Sequence, residues 1–312
     1  MSGTVDALAQ PLCTPERWSL PTPEGYVMTD PLTRRPINPN APPSWIQGDP
    51  MLGPGLDYLR QRGSDLHFYI GYGSHSKAED LGDIATGLFE RAVKRADYYG
   101  SEGQQTTERN FRERLILGGA MLAHLRQTKK EPNVADFLEL GAKAKAVMSS
   151  FEVRTLAAIT LSGTESFVYD IAADGGPAEG ALLLARKKFL ATRSGDVPRL
   201  ALANAGYINA REWSMAANMG NKIKQREAGV VRPVDTFVTV GAGHLDLMRK
   251  LDLCEVRVSH LFFDADAQRH GESVSLHGAF QRGVADKRQL HVAVRILAHL
   301  QQVNQAAGGY NT

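Results

Sequence analysis

Cysteine is nearly absent from this chain of 312 residues: only Cys13 and Cys254 occur, far apart and in unlike surroundings. That excludes a disulfide framework or a thiolate metal site, and it fits a reducing compartment. No apolar run approaches the roughly 18 to 20 residues of a membrane span. The amino terminus has no basic stretch followed by an apolar segment, so a Sec signal is not expected. An excess of one charge is also missing, since 36 basic and 34 acidic residues leave a net charge of +2. No basic block alternates with aromatic residues, and nucleic-acid binding therefore has no electrostatic footprint. What is present, 43% apolar and 22% charged residues, is enough for a soluble protein with a full core.

Proline is concentrated in one place. Eleven of the 15 prolines lie at or before Pro54, a density that prevents regular helix and sheet ladders. Residues 1–50 are therefore expected to form an extended, partly disordered arm, pinned where Trp18, Tyr26 or Trp45 touch the domain. A surface wrap is the favoured expectation, and a leader for secretion or partner recruitment is the alternative. Residues 51–312 are expected to form one domain.

Beyond the arm, short apolar runs alternate with amphipathic stretches. Strands are expected at 66–71, 152–161, 199–203, 235–240 and 254–263. Helices are expected from His75 through Val93, over 107–126, from about 133 to 147, over 178–191, from about 209 to 225, and over 290–305. The alternation predicts an α/β fold with a mostly parallel central sheet flanked by helices.

Two of the strands end in a glycine turn and a histidine. Asp235–Val240 is followed by Gly241-Ala242-Gly243-His244, and Leu66–Gly71 by Tyr72-Gly73-Ser74-His75. Polar residues at the carboxyl ends of buried parallel strands lie where such sheets place ligands. Glu79 is four residues after His75, so both fall on one face if a helix starts there. Glu165 closes Ser162-Gly163-Thr164-Glu165, read here as the exit of the strand at 152–161. A solvated loop residue remains the competing reading for each histidine.

Arg211-Glu212-Trp213-Ser214-Met215-Ala216-Ala217-Asn218 resembles the Arg-acid-x-x-Met-Ala-x-Asn helix of the erythromycin-esterase, TraB/Tiki and ChaN-like superfamily. Val240-Gly241-Ala242-Gly243-His244-Leu245 is similar to its Gly-x-x-His segment. Gly71-Tyr72-Gly73-Ser74-His75 with Glu79 is similar to its first motif, with Tyr72 standing where the family usually has a glutamate. The resemblance covers about residues 65–263. It implies a hydrolase of ester or amide (peptide) bonds, acting on a small molecule or peptide, with haem or small-ligand binding as the alternative.

The resemblance points to His75, Glu79, Glu165, Arg211 and His244 as site residues, with Tyr72 and Asn218 contacting substrate or cofactor. Either His75 and His244 hold a divalent metal that activates water, or one histidine acts as general base while Arg211 stabilises an oxyanion. Tyr72 in place of glutamate moves that role, to Glu79 or Glu165, or removes catalysis. A further expectation is a bacterial protein, either cytoplasmic or, with the Pro-rich arm as leader, delivered to another cell as an effector or toxin by a non-Sec route. Among the remaining histidines, His67 within a strand reads as packing, and His124, His291 and His299 as helix residues. His260, His270 and His277, late in the chain, are the weakest site candidates, and Met215 reads as core.

Overall fold

The computed structural model describes residues 26–27, 38, 40–73, 83–102, 108–143, 150–170, 179–185, 187, 197–227, 232–263 and 284–285. The chain divides into two compact units. One is made of Met1–Pro43, Asp174–Glu212 and His270–Thr312; the other of Ser44–Ala173 and Trp213–Arg269. In the first, β1 (Tyr26–Val27) pairs antiparallel with β7 (Val284–Ala285), and residues 179–185 are helical. Most of the expected arm, and the helix expected at 290–305, lie outside the described residues.

The second unit starts with α1 (Ser44–Gln47) and α2 (Gly53–Arg62). Ile46 is buried and Trp45 packs against the main core, so the end of the expected arm is part of this unit. Then follow β2 (Leu66–Gly73), α3 (Asp83–Arg95), β3 (Tyr98–Ser101), α4 (Glu108–Thr128), α5 (Val134–Lys143), α6 (Ser150–Ser162) and β4 (Glu165–Val168). A 30-residue helix, α7 (Val197–Arg226), begins in the first unit and ends in the second. It leads to β5 (Val234–Gly241), α8 (Leu247–Asp252) and β6 (Arg257–Phe262). The five strands lie in the order β4-β3-β5-β2-β6, and every neighbouring pair is parallel. The protein is an α/β fold with a parallel sheet flanked by helices.

Both faces of the sheet are covered, which is why its central strands read as nearly continuous apolar runs. Phe68, Ile70 and Tyr72 of β2 and Val234, Val238 and Val240 of β5 pack with Leu56 and Leu59 of α2 and with Trp213, Met215, Ala216, Met219 and Ile223 of α7. On the other face, Phe237 of β5 meets Phe89 and Val93 of α3, Ile159 of α6 and Phe263. Phe89, Phe237 and Phe263 are arranged edge to face, the geometry favoured by the ring quadrupoles. Leu88 of α3 is 42% exposed.

Two expected strands are helices. Residues 152–161 form most of α6, which buries Val153, Leu156 and Ala157 at i, i+3, i+4 spacing. A short apolar run can belong to a buried helix as well as to a strand. Residues 199–203 lie in the first turns of α7, where Pro198 suits a helix start and the alanines favour helix. Two real strands, β3 and β4, are four residues each, too short to show a period.

Charge clasps the amino ends of the strands. Arg62 Nη1 donates to Glu227 Oε2 at 2.8 Å, with both side chains almost fully buried. Arg232 joins Asp97 at 2.7 Å, and Asp97 Oδ2 accepts the Asp235 N–H at 2.9 Å. The network ties α2, the end of α7 and the starts of β3 and β5 together.

Candidate functional site

Connections leaving the carboxyl ends of β3 and β5 diverge. The chain continues from β3 to β4 on one side, and from β5 to β6 on the other, although β3 and β5 are neighbours. Such a switch point opens a crevice in which parallel sheets bind their ligands. Two side chains meet there.

Glu102 directly follows β3. His244 closes a 3₁₀ turn, Ala242–His244, that follows β5. The His244 Nε2 lies 3.5 Å from Glu102 Oε1, with the side chains 6% and 4% exposed. The carboxylate is fixed by the neighbouring strand: Gly241 N–H donates to Glu102 Oε2 at 2.5 Å, and Glu102 N–H donates to Thr239 O at 3.2 Å. One carboxylate oxygen thus takes a backbone donor while the other faces the imidazole. A carboxylate held this way orients the ring and stabilises an imidazolium.

Glycine's conformational freedom is not what shapes this turn. Gly241 is extended at φ −64° and ψ 141°. Among the described glycines only Gly63 and Gly163 have positive φ. A Cβ on Gly243 would meet nothing within 4 Å.

Two buried tyrosines hydrogen-bond to Thr239 of β5. Tyr169 donates to Thr239 O at 2.7 Å, the same carbonyl that accepts Glu102 N–H. Tyr99 OH and Thr239 Oγ1 are 2.6 Å apart. Burial, reinforced by the charges of Glu102 and Asp170, raises the Tyr169 phenol well above its ordinary value. Burial pushes Tyr99 up to about 12, against the opposing effect of its hydrogen bonds to Thr239 and Ser101. Both phenols are neutral at pH 7 and act as hydrogen-bonding groups. Tyr72 donates to Leu245 O at 3.1 Å, bracing the turn that carries His244.

The residues expected from the sequence are distributed unevenly. His244 is at the crevice, but buried rather than a solvated loop residue. Tyr72, expected to contact substrate or cofactor, is buried in β2 as a support for the His244 turn. Glu165 does not follow a strand: it opens β4 at the opposite end of the sheet and pairs with Arg226 at 2.7 Å. The expectation failed because the element before it is helix α6. Arg211 is half-buried in the part of α7 that belongs to the other unit, and Asn218 is half-buried in the part belonging to this one. Met215 is buried, as expected of core. His75 and Glu79 lie outside the described residues; β2, which leads to them, ends at Gly73 in register with Gly241.

Glu102 was not anticipated. Its one signal is an acid directly after an aromatic run, Tyr98-Tyr99-Gly100-Ser101, too short to announce a strand. Among the described residues, no group of three or more His, Cys, Asp or Glu side chains is placed to hold a metal ion. Also among them, no helix is long and apolar enough to cross a membrane. Comparison of the chain with family models, with curated proteins and with solved structures gives no match.

Proposed function

We propose that this protein hydrolyses ester or amide bonds, with His244 as general base and Glu102 as the carboxylate that orients it. The observation that carries the reading is the buried His244–Glu102 pair at the switch point of the sheet. His244 takes a proton from water, and the water oxygen adds to the substrate carbonyl carbon. The tetrahedral adduct then expels the alkoxide or amine, which receives that proton from the imidazolium. Glu102 stabilises the imidazolium between the two transfers.

His75 is proposed as a second member of the site. It lies two residues beyond Gly73, and neighbouring strand ends are about 5 Å apart. A divalent metal between His75 and His244 would supply Lewis-acid activation of the same water.

Chromogenic esters and peptide amides offered to the full chain and to His244→Gln test the reading. A hydrolysed substrate whose kcat/KM falls by about 10²- to 10⁴-fold in the variant is expected. Equal hydrolysis by both proteins would refute it. If the wild type hydrolyses nothing, but a small ligand raises its unfolding temperature and His244→Gln removes that rise, the same crevice serves binding instead.

A further inference from the structure

On the opposite half of the sheet, three polar side chains from three adjacent strands line up across one face. His67 of β2 stands in register with Asp235 of β5, and Ser259 lies two pairs further along β6, opposite Tyr69. The His67 Nε2 is 2.9 Å from Ser259 Oγ, and its Nδ1 is 3.5 Å from Asp235 Oδ1. Alternation along the strands puts all three on the face of Phe237 and Phe263, but at the amino half, beyond the aromatic cluster. Ser259 is exposed, and the Asp235 side chain is 47% exposed, so reagents reach the group from solvent.

We infer that Ser259, His67 and Asp235 form a second, nucleophilic site, at which Ser259 is acylated by unhindered carboxylic esters. The inference is independent of the His244 reading. A hydroxyl, an imidazole and a carboxylate within reach in that sequence is the arrangement that activates serine, recognised by geometry and not by order in the chain. Asp235 Oδ1, 3.5 Å from Nδ1, favours the tautomer protonated there, which leaves the Nε2 lone pair to the Ser259 hydroxyl. Burial, and next the Arg257 charge, lower the His67 pKa below its ordinary value despite Asp235, so the ring is neutral and basic at pH 7. The Tyr69 ring, 3.9 Å away between centroids, packs against the imidazole.

A donor for the developing oxyanion follows from the ladder. Phe263 N–H donates to Tyr72 O, and alternate residues of a strand direct their N–H groups alike. The N–H groups of Ser259 and Leu261 therefore turn toward β2. That of His260 turns to the outer side of β6, which is an edge strand among the described residues. The N–H after the nucleophile is a common oxyanion donor. In the reaction, Ser259 Oγ bonds to the ester carbonyl carbon and its proton passes to His67 Nε2. That proton leaves with the alkoxide when the ester C–O bond breaks. Water, deprotonated by His67, then releases the acid and restores Ser259.

A fluorophosphonate probe reads the first step directly: the Oγ–P bond forms, the P–F bond breaks, fluoride departs and His67 takes the proton. Intact mass and peptide mapping of the full chain are expected to show a single adduct, on Ser259, absent after heat denaturation. Ser259→Ala and His67→Gln should not label, and Asp235→Asn should label at least 100-fold more slowly. His244→Gln should label at the wild-type rate, which separates this site from the crevice. No Ser259 adduct on the folded wild type would overturn the inference, as would equal labelling of His67→Gln. Should that variant fail to fold, equal labelling of Asp235→Asn would have the same force. A merely structural cross-strand contact predicts that equality.

Discussion

Tyr99 shows what burial does to one titratable group in this protein. Its phenol is raised to about 12 in the folded chain, against an ordinary value of 10.0. A pKa raised on folding gives stability that is whole below the unfolded value and lost as pH climbs through the folded one. Stability should therefore fall between pH 10 and 12, by on the order of 2 kcal/mol from this group. Urea midpoints measured from pH 9 to 12 check this, and Tyr99→Phe should flatten the decline; an unchanged slope in that variant would place the alkaline sensitivity elsewhere. His244 is buried. A solvated loop histidine would cost at most about 1 kcal/mol of stability on removal. The buried one leaves Glu102 without its imidazole, so His244→Gln should cost about 1–3 kcal/mol by denaturant titration.

The packing of α2 on α7 is set by two glycines. A Cβ on Gly55 would fall 1.9 Å from Ala217 O, and one on Gly220 would fall 2.2 Å from Gly55 O. The obstacles are backbone atoms, so the helices must separate, and Gly55→Ala or Gly220→Ala should each destabilise by about 3 kcal/mol. Gly119, exposed on α4 with nothing within 4 Å of its would-be Cβ, is the control. Gly119→Ala should stabilise by about 0.5–1 kcal/mol through the better helix former. Urea unfolding of the three variants checks both signs. At this scale the sequence was partly legible. The central strands β2 and β5 stand out because they are long, rich in aromatic (β2) or β-branched (β5) residues, and covered on both faces. Residues 152–161 and 199–203 read as strands because apolar runs of that length carry no decisive period, and alanine-rich helices resemble core strands. The four-residue strands β3 and β4 carried no period at all, and Glu102 was missed with β3.

In the sheet-bearing unit as a whole, topology makes the site. The exits of β3 and β5 diverge only because β5 lies between β3 and β2, an order that long-range pairing fixes and local sequence does not reveal. The glycine–histidine segment pointed to one half of the crevice; its carboxylate partner required the strand order. The central claim is that Glu102 acts through His244. A double-mutant cycle in kcat/KM, using Glu102→Gln, His244→Gln and the combined variant on a hydrolysed ester, tests it most directly. The account predicts that adding Glu102→Gln to His244→Gln costs less than about threefold, although Glu102→Gln alone costs about 10²-fold or more. Losses that simply multiply, or a Glu102→Gln variant as active as the wild type, would contradict it.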